Sequence, residues 1–253
     1  MTARPRRSVL ACAIFAVSVT GALAGCSSSD TSVAPTTASS VTTTAAAPPT
    51  SALSPSTPES ERALFDAVDR NDPAAITAAL DAGANIEARG GGERTPLVEA
   101  TKNNAVAAAS TLILAGADVN AKDSMQDSAF LYSGAEGLNE VLALTLTHGA
   151  DVDSVNRYGG TALIPASEHA HVETVRMLIA AGVPVNHVND PGWTALLEAV
   201  VYGDGSARYV DVITQLLDAG ADPSIRDASG KTALDNAESR GQADVVALLQ
   251  SRS

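Results

Sequence analysis

Apolar residues recur at helical spacing in a series of short segments: Leu142 and Leu146, Val175 with Leu178 and Ile179, Val212 with Leu216, and Val245 with Leu248 and Leu249. Spacings of three and four place each set on one face, so each segment predicts a short amphipathic helix with its stripe turned toward neighbours. Ahead of these segments stand shorter apolar runs opened by Thr or Ser: Thr95-Pro96-Leu97, Ser128-Ala129-Phe130, Thr161-Ala162-Leu163, Thr194-Ala195-Leu196 and Thr232-Ala233-Leu234. The hydroxyl is placed to cap a first helix, and Pro96 suits the first helical position. Behind each second helix comes a glycine, at 83, 116, 149, 182 and 220, where a left-handed residue ends a helix at little cost. Both markers step by 33, 33, 33 and 38 residues. A fixed period of this length predicts helix pairs stacked in a row, each burying its apolar stripe against the next.

The segments Leu217-Asp218-Ala219-Gly220-Ala221-Asp222 and Asp227-Ala228-Ser229-Gly230-Lys231-Thr232-Ala233-Leu234 carry this pattern most fully, and it resembles the ankyrin repeat. The resemblance covers roughly 61–252. It implies an all-α ankyrin-repeat solenoid of helix-turn-helix repeats with short β-hairpin-like fingers, about six repeats including caps. Their expected bounds are 61–89, 90–122, 123–155, 156–188, 189–226 and 227–253, the first lacking its finger. Several positions depart from the family pattern. Val98, Leu131, Ile164, Leu197 and Asp235 replace the histidine that usually follows Thr-Pro-Leu, so the family's Thr–His ladder is missing and stacking must lean on apolar contacts. Gly182-Val183-Pro184 replaces Gly-Ala-Asp, and Gln126 stands where glycine normally turns the finger. The longer step comes from extra residues at about 204–208, expected to form a loop between two helices.

The chain does not begin with structure. Arg4, Arg6 and Arg7 precede an uncharged stretch from Ser8 to Ala24 that is too short to span a bilayer, which predicts a cleaved export signal at 1–25. Leu23-Ala24-Gly25-Cys26 resembles the lipobox of bacterial lipoproteins, implying lipidation of Cys26 and location at a bacterial membrane, on its extracytoplasmic or periplasmic face. Two acyl chains anchor a protein stably where one does not. Arg6-Arg7-Ser8-Val9-Leu10 fits a twin-arginine core as well as the basic start of an ordinary signal, and both routes stay open. Residues 26–60 are rich in Ser, Thr, Ala and Pro and read as a disordered tether with a span of about 30 Å.

Charge and cysteine content narrow the chemistry. The formal net charge of −13 becomes more negative once the basic signal leaves, which disfavours nucleic acid and favours a cationic protein partner. Cys12 leaves with the signal and Cys26 takes lipid, so the expected mature domain has no thiol for a disulfide, a metal or a nucleophile. Of the four histidines, His148 ends a helix, His187 lies in a finger, and His169 and His171 share an interhelical turn without an evident third ligand. The sequence lacks Gly-x-Ser-x-Gly, His-Glu-x-x-His and a phosphate loop, and its carboxylates look scattered. These features predict no enzyme, no cofactor and no metal.

In ankyrin proteins partners contact finger tips and first helices at a few variable positions per repeat. The corresponding positions here include Gly91, Gly92, Arg94 and Lys102, then Ser124, Met125, Asp127 and Glu136, then Arg157, Tyr158, Glu168 and His169. Asp190, Trp193, Val201 and Tyr202 follow, and Ser229, Lys231 and Arg240 complete the set. Aromatic and arginine side chains dominate interface energetics, which selects Met125, Arg157, Tyr158, Asp190, Trp193 and Tyr202 as a central contact patch, with Arg208 and Tyr209 at its border. The expected function is a membrane-anchored, monomeric protein-binding module. One alternative is an immunity or inhibitor protein for a cationic toxin or envelope enzyme. Another is an envelope-polymer hydrolase, whose mark would be a deep pocket gathering two carboxylates.

Overall fold

In a computed structural model of the chain, residues 56–252 are described; the export signal, Cys26 and the tether up to residue 55 lie outside them. Thr57 accepts from the Ser60 backbone while Ser60 accepts from that of Thr57, and with Pro58 at the first position this capping box opens α1 (Pro58–Asp69). Pro58–Ser60 therefore belong to the first helix and not to the tether, their Ser/Pro composition having masked a cap. After α2 (Pro73–Asp81) come α3 (Pro96–Lys102) with α4 (Val106–Leu114), and α5 (Ala129–Ala135) with α6 (Asn139–Thr147). Then follow α7 (Leu163–Glu168) with α8 (Val172–Ala180), α9 (Ala195–Val201) with α10 (Ala207–Asp218), and α11 (Ala233–Arg240) with α12 (Ala243–Ser251). The described residues contain no strand. First helices stack on first helices and second on second, giving the all-α solenoid that the period implies.

The local signals act as their chemistry requires. Thr95, Ser128, Thr194 and Thr232 each accept from the backbone N–H three residues on. Thr161 does not cap, although the sequence marks it so. Pro165 has no N–H to give Thr161 O, the Ile164 N–H donates to that carbonyl at 3.2 Å instead of to the hydroxyl, and the buried Thr161 Oγ1 is left without a partner. The five helix-ending glycines have φ between 88° and 96°, and the next residue closes each Schellman turn, as in Ala84 N–H to Ala79 O at 3.0 Å.

Each finger is a tight turn closed by two backbone bonds, such as Asp123 N–H to Asp127 O with Gln126 N–H to Asp123 O. Its tip requires positive φ, supplied by Gly159, Gly192 and Gly230, but by Glu93 at 58° in the second repeat and Gln126 at 62° in the third. A side chain with Cβ is strained there, so Gln126→Gly is expected to raise stability by about 0.5–1 kcal/mol, read from denaturant midpoints.

The apolar stripes pack into two clusters. One runs from Leu64 to Val141 and the other from Phe130 to Leu249, and they meet at α5 and α6. Val98, Leu131, Ile164 and Leu197, which stand in place of the absent histidines, are all buried. Apolar contacts are nevertheless not the whole substitute for the ladder. Asn71 Oδ1 accepts from Ala108 N–H, Asn120 and Asn186 bridge to Asp151 and Asp222 N–H, and Lys122 reaches Val155 O, so side chains tie each repeat to the next one's backbone.

Candidate functional site: a cleft between fingers and first helices

Lys102, at the end of α3, shows how one repeat treats a charge at this face. Its ammonium lies 2.9 Å from Asp123 and 2.7 Å from Asp127, with the Tyr132 ring 4.7 Å away. Burial works against that charge, but the two carboxylates outweigh it and hold the ammonium above its ordinary pKa. Asp123 responds in reverse: burial pushes its pKa up, and bonds from Lys102 and from the Asp127 and Met125 backbones bring it below the usual carboxylate value.

One period further on, Ala135 replaces Lys102, Gly160 replaces Asp127 and Pro165 replaces Tyr132. Three large groups are gone, and a cleft of about 390 Å³ opens where they would lie. Its walls include Arg157, Tyr158 and Tyr202, with Glu136, Glu168 and His169 along the first helices. Tyr158 is 53% and Tyr202 57% exposed, so both present ring surface to solvent at the edge of the cleft.

Glu198 forms part of the floor. It is only 7% exposed, its Oε1 accepts from Asn189 Nδ2 at 3.0 Å, and its carboxyl also lies within hydrogen-bond reach of Glu168. Two carboxylates can share such a bond only by holding one proton between them. Burial first, and then the like charge of Glu168, push Glu198 up to about 7, while the Asn189 bond opposes the shift. No ion pair among the described residues neutralises Glu136, Glu168 or Glu198. The carboxylates are thus not all scattered, contrary to the sequence expectation. Glu198 lies three residues ahead of the variable position at Val201, and only the packing of α7 on α9 brings it to Glu168.

The residues selected from sequence divide into groups. Arg157, Tyr158 and Tyr202 line the cleft, and the Arg157 guanidinium lies over the Tyr158 ring at 4.6 Å. Trp193 is half-buried against the core, with its ring 6.3 Å from that of Tyr202. Met125 is exposed on the finger of the third repeat, outside the cleft lining. Asp190 joins neighbouring fingers through its N–H to Tyr158 O at 2.9 Å.

Arg208 and Tyr209 need a correction. The extra residues do not all form a loop: α10 has 12 residues where α4, α6, α8 and α12 have nine, so part of the insertion lengthens the helix. That added turn sets Tyr209 inward. Its ring is 6% exposed and packs on Gly203, and its hydroxyl donates to Glu168 O at 2.8 Å, so it braces the cleft from behind and offers no surface to a partner. Arg208 is exposed and lies over that ring at 5.2 Å. Tyr209→Phe is expected to cost about 1 kcal/mol of stability, the net value of one hydrogen bond, measured by urea unfolding.

The histidines form no metal centre, and no group of three or more potential ligands occurs among the described residues. His169 and His171 have ring centroids 5.7 Å apart. Burial, and then His169, depress His171 below the usual histidine value. No helix among the described residues is long and apolar enough to cross a membrane.

Comparison with known proteins agrees with the repeat geometry. The family model "Ankyrin repeats (3 copies)" matches residues 130–227, and that of a single ankyrin repeat matches 92–124. No curated protein matches the chain. Among solved structures, an ankyrin repeat domain from Acinetobacter baumannii AYE is 51% identical with a TM-score of 0.73, covering 75% of this chain and 96% of its own. A second structure, described as an ankyrin repeat protein, is 39% identical with a TM-score of 0.72, covering 75% of this chain and 97% of its own. Ankyrin repeats generally serve as non-enzymatic modules for protein–protein interaction. Identity at that level over three quarters of the chain, on the same stacked helix pairs, establishes that it belongs to the ankyrin repeat family.

Proposed function

We propose that the protein is a lipid-anchored, non-catalytic interaction module on the outer face of a bacterial membrane, binding another protein across the cleft bordered by Tyr158 and Tyr202. The observation that carries this reading is the pair of exposed rings beside an acidic floor that lacks a counter-charge. Large aromatic side chains bury much area at small entropic cost, which suits them to anchor a partner. The anchor rests on the sequence at Cys26 and the signal before it.

Two carboxylates in a cleft are the mark set out for a hydrolase, but their contact argues against one that cleaves glycosidic bonds. Glycosidic acid and base must straddle the scissile bond, about 5 Å or more apart, whereas Glu168 and Glu198 share a hydrogen bond. The acidic floor instead favours a cationic partner, and an immunity or inhibitor role is the version of the function that such a partner would specify.

The test is crosslinking in intact cells followed by capture of the crosslinked partner. Tyr158→Ala and Tyr202→Ala are each expected to weaken capture roughly tenfold while leaving the melting temperature within a degree or two, because both rings are exposed. Unchanged capture by both variants would overturn the reading. Trp193→Ala separates packing from contact: a lower melting temperature with unaltered capture assigns that ring to the fold alone. Cys26→Ala should release the protein from the membrane fraction.

A further inference from the structure

The repeats set the cleft against a station that carries its own cation. At Lys102 this architecture seats an ammonium between carboxylates and against an aromatic ring. At the next equivalent station the lysine is Ala135 and the space is open, and one station beyond that it is Glu168, with Glu198 in the place of Tyr132. The partners of Lys102 are gone as well, Asp123 and Asp127 giving way to Asn156 and Gly160 and then to Asn189 and Trp193, while Glu136, Glu168 and Glu198 line the open space with no cation among the described residues paired to them. Neighbouring charges do not compensate them, since Arg157 is turned onto Tyr158 and forms no ion pair with Glu136, Glu168 or Glu198.

We propose that the cleft receives a lysine side chain of the bound protein, its ammonium against Glu168 and Glu198 and its aliphatic stem between Tyr158 and Tyr202. This rests on the partner-binding function above and names the chemistry of the contact. Glu198 is buried and Glu168 beside it half-buried, with no cation among the described residues paired to either, so the site lacks a positive charge that a bound ammonium supplies, favouring the ionised form of Glu198. The exposed faces of two tyrosines suit both a methylene stem and a cation. Asn189 from the finger, Glu168 from α7, and Glu136, His169 and Arg157 in the cleft lining are the polar groups that face the floor, so the proton released on binding comes from an acidic environment with one guanidinium at its edge.

Trp193, the only tryptophan in the chain, lies beside Tyr202 and reports on the cleft by its emission. The full chain is titrated with a blocked pentapeptide, Gly-Ser-Lys-Ser-Gly, and with the same peptide acetylated on the lysine amine. The lysine peptide is expected to give a saturable change, with the acetylated form at least roughly tenfold weaker. Glu198→Gln, which keeps the shape and the bond to Asn189, should weaken the lysine peptide about tenfold, and wild-type affinity should rise several-fold between about pH 5.5 and about pH 8. Equal binding of the two peptides, or an unaltered response in a folded Glu198→Gln protein, overturns the lysine assignment. If capture of the cellular partner still depends on Tyr158 and Tyr202 in that event, the binding function stands and only the lysine assignment falls; if capture ignores those tyrosines, both fall.

Discussion

Phe130→Ala is expected to destabilise the full chain by about 3–5 kcal/mol, seen as a large fall in the urea midpoint, because it empties a fully buried site. The equivalent residues in other repeats are Leu97, Leu163, Leu196 and Leu234, so Phe130 fills its position with more volume than any of them. It also lies where the two apolar clusters meet. In a stacked array each repeat is stabilised largely by its neighbours, and a cavity at one interface weakens the coupling between the two sides. The variant is therefore expected to unfold in two steps, with residues before α5 separating from those after it. A single sharp transition with a loss under about 1 kcal/mol would show that the seam relaxes to refill the space.

The second large effect depends on pH and reverses the usual sign for a charge removal. Glu198 is raised to about 7 in the folded protein, so between its ordinary range and that value the fold retains a proton that the unfolded chain has lost. Stability attributable to this group is fully present below the unfolded pKa and declines as pH rises through about 7. Glu198→Gln cannot ionise, and its amide can donate to Glu168 while its oxygen still accepts from Asn189. The variant is expected to match the wild type near pH 4.5 and to exceed it by roughly 2 kcal/mol near pH 8, compared by urea unfolding at both values. No difference at the higher pH would mean that water or a rotation of Glu168 relieves the pair.

Much of the fold is legible because repetition multiplies weak signals. A single Thr or Gly says little about where a helix begins or ends, but five of each in one register leave few alternatives, and the caps and Schellman turns follow. Thr161 misled because Pro165, four residues on, has no N–H for the Thr161 carbonyl, which takes the Ile164 N–H that the hydroxyl would otherwise accept. The insertion misled for another reason: its length is visible, but whether five residues form a loop or extend a helix depends on whether Tyr209 finds somewhere to bury its ring. Gly203 provides that place, and its significance emerges only when α9 and α10 are packed.

The candidate site was half visible. Indexing by the period put Tyr158, Tyr202, Glu136, Glu168 and His169 on the expected face, and all five line the cleft. Glu198 was overlooked because its position in other repeats holds Glu99, Tyr132, Pro165 and Asn236, a mixture that gives no chemical pattern on its own. Comparing whole stations, with Lys102, Asp127 and Tyr132 set against Ala135, Gly160 and Pro165, would have exposed the missing volume.

What the sequence determined by itself is everything carried by covalent order: the beat of helix pairs, their caps and breaks, the stripe each buries, and the acidic character of a chain with two cysteines. Only the tertiary structure decided which carboxylates meet. Glu168 and Glu198 lie on different first helices, and the raised pKa of Glu198 depends on the burial that α7 and α9 impose together and on the like charge this packing brings to it. Helical periodicity is a property of neighbours along the chain and survives in one dimension, whereas a cleft and a buried carboxyl beside a like charge exist only once repeats are stacked.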